Sequence, residues 1–295
     1  MHYSVKRILK IAGIGLFFIY WLSACVFAAD SIGIFVSIPP MKYLVERIGG
    51  NLVDVSVMVM PGADPHTYEP KPKQMVSLSA AKAYFAIGIT FEDVWLPRFK
   101  AANPNMVVFH ADENLEKIPI NTNSFNSRSD HHHGPLDPHV WTAPPLVNTI
   151  CRNIRNGMVK IDAAHHTIYK IRYRSFEKEI NRIHGELKRM FEPKKGMSFM
   201  VYHPAWGYFA KTYGLNQIPI EIEGKKPKPA QLKHLIEYAR HRGIKIIFVQ
   251  PQVSDQNAKI IATAIDGEVV SADPLAYHWT ENIRKTADII NSALK

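Results

Sequence analysis

Four residues able to hold a metal ion recur in one local setting. His66 in PGADPHTYEP, His203 in VYHPAWGYF and Asp273 in SADPLA each follow a β-branched run, and His139 in LDPHVW stands just before a helical one. All four touch a proline: Pro65-His66, Pro138-His139, His203-Pro204 and Asp273-Pro274. Proline fixes its own φ and restricts the residue before it, so such a loop holds a side chain in one direction, as a preorganised metal site requires. Three imidazoles and one carboxylate form an N/O donor set suited to tetrahedral zinc. A plainer reading stays open. The chain has 14 His, so one or two near strand ends are expected by chance, and the four residues lie 64 to 73 positions apart, which no local spacing rule connects. Each His taken alone reads more readily as a surface or hydrogen-bonded residue.

The elements that must position these residues alternate along the chain, the signature of parallel α/β units. Strands are expected at Ile32–Ser37, Val53–Met60, Ala83–Ile87 and Met106–Phe109, with helices at Met41–Ile48, Pro72–Ala80, Glu92–Ala101 and Pro144–Lys160. From Asp162, a plausible N-cap, about thirty residues run to Glu192 without proline, with Ile168, Ile171, Phe176, Ile180, Ile183, Leu187 and Met190 at helical spacing. A helix of that length, about 45 Å, exceeds what one lobe needs and suggests a strut; two helices broken near Gly185 are the alternative. Strands then resume at Met197–Tyr202, Gln217–Ile222, Ile244–Val249 and Glu268–Ser271. The expected fold is α/β, with two Rossmann-like lobes built on parallel sheets and joined by one long rigid helix. Residues 30–160 form the N-terminal lobe, 161–192 the linking helix and 193–295 the C-terminal lobe. In open α/β sheets ligands bind outside the carboxyl ends of strands, where three of the four candidates fall.

Composition narrows the function classes. The 295 residues fit two lobes, and 46% hydrophobic with 21% charged residues excludes a disordered chain. Two cysteines, Cys25 and Cys151, exclude a disulfide framework and a cysteine zinc finger. The 36 basic against 26 acidic residues invite a nucleic-acid reading, which the N-terminus opposes. Lys6, Arg7 and Lys10 precede a stretch from Ile11 to Ala29 without a charge, the layout of a secretory signal over residues 1–29. An uncleaved anchor is the alternative. Leu22-Ser23-Ala24-Cys25 resembles a lipobox, making Cys25 a lipidation candidate, whereas Val26-Phe27-Ala28 fits ordinary signal peptidase. Either outcome places the working protein in the periplasm, free or lipid-anchored, away from nucleic acid.

At the candidate residues the sequence resembles the zinc/manganese solute-binding proteins of ABC importers. The matching pieces are SIPPMKYLVERIGG, VMPGADPHTYEPKPKQM, the His-bearing loop leading to DPHVW, VYHPAWGYFAKTYGL, KPKPAQL, VQPQVS and ADPLA, in family order from about Ile32 to Leu294. The resemblance implies one divalent metal bound in the cleft between the lobes by His66, His139, His203 and Asp273. It implies no enzyme activity, a monomer, and delivery of Zn²⁺, as cargo, to an ABC permease membrane subunit with its cytoplasmic ATPase. Manganese members typically carry Glu at the third position, so His203 implies zinc; a manganese or iron carrier is the alternative within the class. A secreted zinc hydrolase is the alternative outside it, disfavoured because HExxH is absent and Asp273 would close the coordination position that catalytic zinc keeps open. The short run His131, His132 and His133 matches the place where zinc members carry a His-rich loop, and an ordinary polar loop reads equally well. Gln250 and Lys226 stand where the family often has acids.

Overall fold

The computed structural model describes residues 31–120, 135–221, 225–252 and 256–294. The uncharged stretch 11–29, Cys25 and His131–His133 lie outside them. In the first half β1 (Ile32–Val36), α1 (Pro39–Gly49), β2 (Val53–Val57), α2 (Pro72–Leu78), β3 (Ala83–Ala86), α3 (Thr90–Ala102) and β4 (Val107–His110) follow in order. Then come α4 (Pro144–Ile161) and the long α5 (His166–Phe191). The second half runs β5 (Ser198–Val201), α6 (Gly207–Tyr213), β6 (Asn216–Pro219), α7 (Pro229–His241), β7 (Ile246–Val249), α8 (Gln256–Ala264), β8 (Glu268–Ser271) and α9 (Trp279–Ala293).

Both sheets are parallel and share one topology, β2-β1-β3-β4 and β6-β5-β7-β8. A parallel strand covered on both faces is apolar throughout, as the fully buried AYFA of β3 is. In β5 the period-2 alternation divides side chains between two cores. Phe199 and Val201 enter a main core shared by both halves, while Met200 and Tyr202 enter a smaller core of the second half with Ile247 and Ile261.

The long helix is continuous through Gly185, so the broken alternative does not hold. Its 26 residues span about 39 Å, shorter than expected because residues Ala163–His165 coil as a 3-10 turn before it. Its buried face is Tyr169, Tyr173, Phe176, Ile180, Ile183, Leu187 and Phe191. Ile168 and Ile171, counted on that face from the sequence, are instead exposed, because Tyr169 and Tyr173 fill the contact. The helix packs against α1, α4, α6 and α9, and its apolar stripe lies in the shared core. Cys151 is fully buried in α4, where burial pushes its thiol pKa up. Among the described residues no helix is long and apolar enough to cross a membrane.

Candidate metal centre

Three of the four candidates sit on turns closed by their own aspartates. In Asp64-Pro65-His66 the His66 N–H donates to Asp64 Oδ1 at 2.9 Å. In Asp137-Pro138-His139 the His139 N–H donates to Asp137 Oδ1 at 2.9 Å. In Asp273-Pro274-Leu275 the Leu275 N–H donates to Asp273 Oδ1 at 2.9 Å. An aspartate that accepts from the N–H two residues on makes an Asx turn, and the proline between them pre-sets the chain direction. His203 is placed differently. It lies two residues past β5, and the register Val201↔Pro219, carried two residues further, sets it beside Glu221 just past β6.

The three imidazoles converge. Ring centroids are 5.2 Å apart for His139 and His203, and 5.6 Å for His66 and His203. His139 Nδ1 lies 2.7 Å from Asp137 Oδ1, and His203 Nδ1 lies 2.7 Å from Glu221 Oε2. A carboxylate only accepts, so each Nδ1 carries the proton and each Nε2 presents a lone pair. Those two Nε2 atoms face each other at 3.4 Å. Two neutral acceptors at that distance repel unless a proton or a metal ion lies between them. Zinc–nitrogen bonds of about 2.0–2.1 Å at the tetrahedral angle separate two nitrogens by about 3.3–3.4 Å. His66 Nδ1 stands 3.3 Å from Thr90 Oγ1, at the start of α3. Although His66 is exposed at its edge, desolvation by the surrounding protein, then the facing His203, lowers its pKa and favours the neutral imidazole, the form able to bind a metal.

The rings line a cavity of about 30 Å³ with Asp64, Thr90, Trp141, Gln250, Pro274 and Leu275 among its walls. That space is small enough to take a single ion. A far larger cleft, about 1100 Å³ along β4 and α4, holds none of the four candidates. Asp273 lies one residue from the cavity wall, with Oδ1 also accepting from Gln252 Nε2 at 2.9 Å. The structure thus brings His66, His139 and His203 to one cavity, while Asp273 stands outside its lining, beside the wall residue Pro274. Among the described residues no three His, Cys, Asp or Glu side chains stand fully at coordinating distances. Gln250 is a wall residue, whereas Lys226 is an exposed lysine ahead of α7.

Sequence reasoning missed Asp137 and Glu221, which orient two of the rings, and Thr90, which holds the third. Asp137 carried a signal, since the tripeptide Asp-Pro-His occurs at both 64–66 and 137–139. Glu221 carried none beyond lying at the end of an expected strand. Trp206 and Tyr208 act one step further out. The Tyr208 hydroxyl donates to the Asp137 carbonyl at 2.8 Å, and Trp206 packs edge-on to Phe209. Gly207 is required because a Cβ there would stand 2.6 Å from Asp137 Oδ2.

Comparison with known proteins gives one consistent result. The family model described as zinc-uptake complex component A, periplasmic (ZnuA) matches residues 34–293. The structure is similar to a crystal structure of ZnuA, with a TM-score of 0.84 and 38% identity, covering 90% of this chain and 100% of that one. The zinc-binding protein AdcA of Streptococcus pyogenes serotype M3 is 26% identical over 289 residues, 92% of this chain but only 56% of AdcA, so the chain spans little more than half of that relative. The iron-binding protein YfeA of Yersinia pestis is 25% identical over 224 residues, 74% of this chain and 69% of YfeA.

Proposed function

Since the chain belongs to the zinc-uptake complex component A family of periplasmic proteins, we propose that it captures Zn²⁺ outside the cytoplasm and hands it to an ABC permease driven by a cytoplasmic ATPase. His66, His139, His203 and Asp273 hold the ion, the imidazoles through Nε2. The observation that carries this reading is the facing pair of Nε2 lone pairs at 3.4 Å, each backed by a carboxylate on Nδ1. Carboxylate–imidazole–metal chains of this kind fix the tautomer and raise ligand basicity. Binding rather than turnover is the activity that membership of an uptake family supports.

In this reading residues 1–29 are an export signal, 30–160 and 193–295 are the lobes, and 161–192 is the strut that restricts their relative motion. Capture and release then rest on local movement of the ligand loops. Cys25 is either the lipidated first residue or removed, which the intact mass of the exported protein distinguishes. His131–His133 gather metal weakly, so deleting residues 130–133 leaves the tight site nearly unchanged.

Three imidazoles favour zinc, while iron and manganese are the competing cargoes, iron being the metal in the name of the YfeA relative. Competition among Zn²⁺, Mn²⁺ and Fe²⁺ for the purified apoprotein tests the choice, with zinc expected to displace the other two. His203→Ala is expected to weaken zinc binding about 100-fold or more, and equal affinity by calorimetry would remove His203 from the site. Because neutral imidazole is the ligating form, affinity falls with pH below roughly 6.

A further inference from the structure

Two tryptophans tie the His139 loop to the Asp273 loop across the molecule. Trp141, two residues past His139, donates its indole Nε1–H to the carbonyl of Pro274 at 2.8 Å, and Pro274 directly follows Asp273. Trp279, the first residue of α9, donates its Nε1–H to the carbonyl of Trp141 at 2.7 Å. Both bonds are buried, with Trp141 and Trp279 only 2% and 3% exposed. One turn along α9, Asn282 Nδ2 donates to the Asp273 carbonyl at 2.7 Å. The N-terminal turn of α9 therefore holds both loops, one through Trp279 and the other through Asn282.

Apolar packing alone would leave the loops free to slide, because it is not directional. An indole N–H has one direction and, when buried, needs one acceptor. Here each indole spends that donor on the backbone of a ligand loop. Trp141 is also a wall of the 30 Å³ cavity, with its ring 5.3 Å from that of His139, so the same side chain shapes the site and crosses the gap.

We infer that Trp141 and Trp279 are positioning residues that set the separation of His139 and Asp273, so that an incoming ion meets half of its ligand set already assembled. This rests on the reading of those two residues as ligands. Neither indole touches the ion. Each acts through backbone carbonyls, and its effect depends on Asp273 being a ligand.

That dependence supplies the test. Zinc affinity is measured by competition for the full exported chain, for Trp141→Phe, for Asp273→Asn and for the double variant, alongside the visible spectrum of each Co²⁺ complex. Phe keeps an aromatic ring, smaller than the indole, and removes the donor. Trp141→Phe is expected to weaken zinc binding about 10- to 100-fold and to reduce the intensity of the four-coordinate Co²⁺ bands. In the Asp273→Asn background the same change is expected to cost less than about 3-fold, because coupled residues are not additive. A merely structural tryptophan would lower affinity equally in both backgrounds and leave the Co²⁺ spectrum intact; either result overturns the inference. Should Trp141→Phe fail to fold, Trp279→Phe, which leaves the Trp141–Pro274 bond in place, is put through the same cycle with a smaller expected loss of about 3- to 10-fold. An unmodified chain that binds neither Zn²⁺ nor Co²⁺ would sink the metal reading itself, and the clasp with it. An unmodified chain that binds both, beside an unchanged variant, would sink the clasp alone.

Discussion

His66 and His139 share the tripeptide Asp-Pro-His and the same Asx turn, yet the molecule holds them very differently. His139 is 7% exposed, and Asp137, itself 1% exposed, takes both its N–H and its Nδ1. Tyr208, Trp141 and Trp279 then fasten that loop to the rest of the molecule. His66 is exposed, its aspartate takes only the backbone N–H, and its ring rests on Thr90 through one contact at 3.3 Å. Thr90 itself starts on firm ground. The buried Glu92 carboxylate accepts from the N–H groups of Ile87 and Gly88 and from Ser37, whose Oγ lies 2.8 Å from the Tyr84 hydroxyl. One short motif thus makes a stiff corner twice, and tertiary contacts decide whether the corner is a fixed wall or an accessible edge.

The contrast can be broken most severely on the buried side. Asp137→Ala strands the His139 N–H and Nδ1 in the interior, so unfolding stability is expected to drop by about 2–4 kcal/mol. Zinc affinity is expected to fall with it by about 10- to 100-fold. Denaturant titration and metal competition on the same sample check both, and an unchanged midpoint would mean that the buried wall is not held as described.

Next in size is a pH effect beneath the exposed edge. Burial pushes the Glu92 carboxyl up to about 7, against the hydrogen bonds that favour its charge. Between pH 4.5 and about 7 the folded chain therefore holds a proton that the unfolded chain has released. Stability is lost as pH rises through that window, by up to about 3 kcal/mol if Glu92 acts alone. Glu92→Gln is expected to flatten this segment of the stability profile, and an unaltered slope would contradict it.

The exposed edge should separate binding from folding. His66→Ala is expected to weaken zinc binding about 100-fold while changing unfolding stability by no more than about 0.5 kcal/mol. A loss of stability comparable to that of Asp137→Ala would erase the difference between the two sides. Smallest of all, Thr90→Val removes only the support of the His66 ring, and an affinity loss of about 10-fold or less is expected. A larger loss would show that this single contact carries more of the site than its length suggests.

Much of the fold was legible because it follows from short-range rules. Short apolar runs between turn residues gave the eight strands within a few residues, and an unbroken stretch without proline gave the long helix. The buried face of that helix was legible only in part. Ile168 and Ile171 are as apolar as Ile180 and Ile183, but which stripe meets α1 and α4 depends on where those helices lie. In the candidate centre, proline-flanked candidate residues could be picked out singly, whereas the side chains that orient them could not. Glu221 reaches His203 only because β5 and β6 pair in one register, and a slip of one residue would turn it to the other face.

By itself the sequence determined the alternation of strands and helices, the rigid Asp-Pro corners and the types of donor atom available, because each depends on residues within a few positions of one another. Tertiary structure alone decided that two ring nitrogens meet at 3.4 Å, that carboxylates 2 and 18 residues away orient them, and that indoles from distant segments bond to the backbone of the loops. Those relations join residues separated by up to 138 positions, and only the packing of both sheets around one shared core brings them within hydrogen-bonding reach.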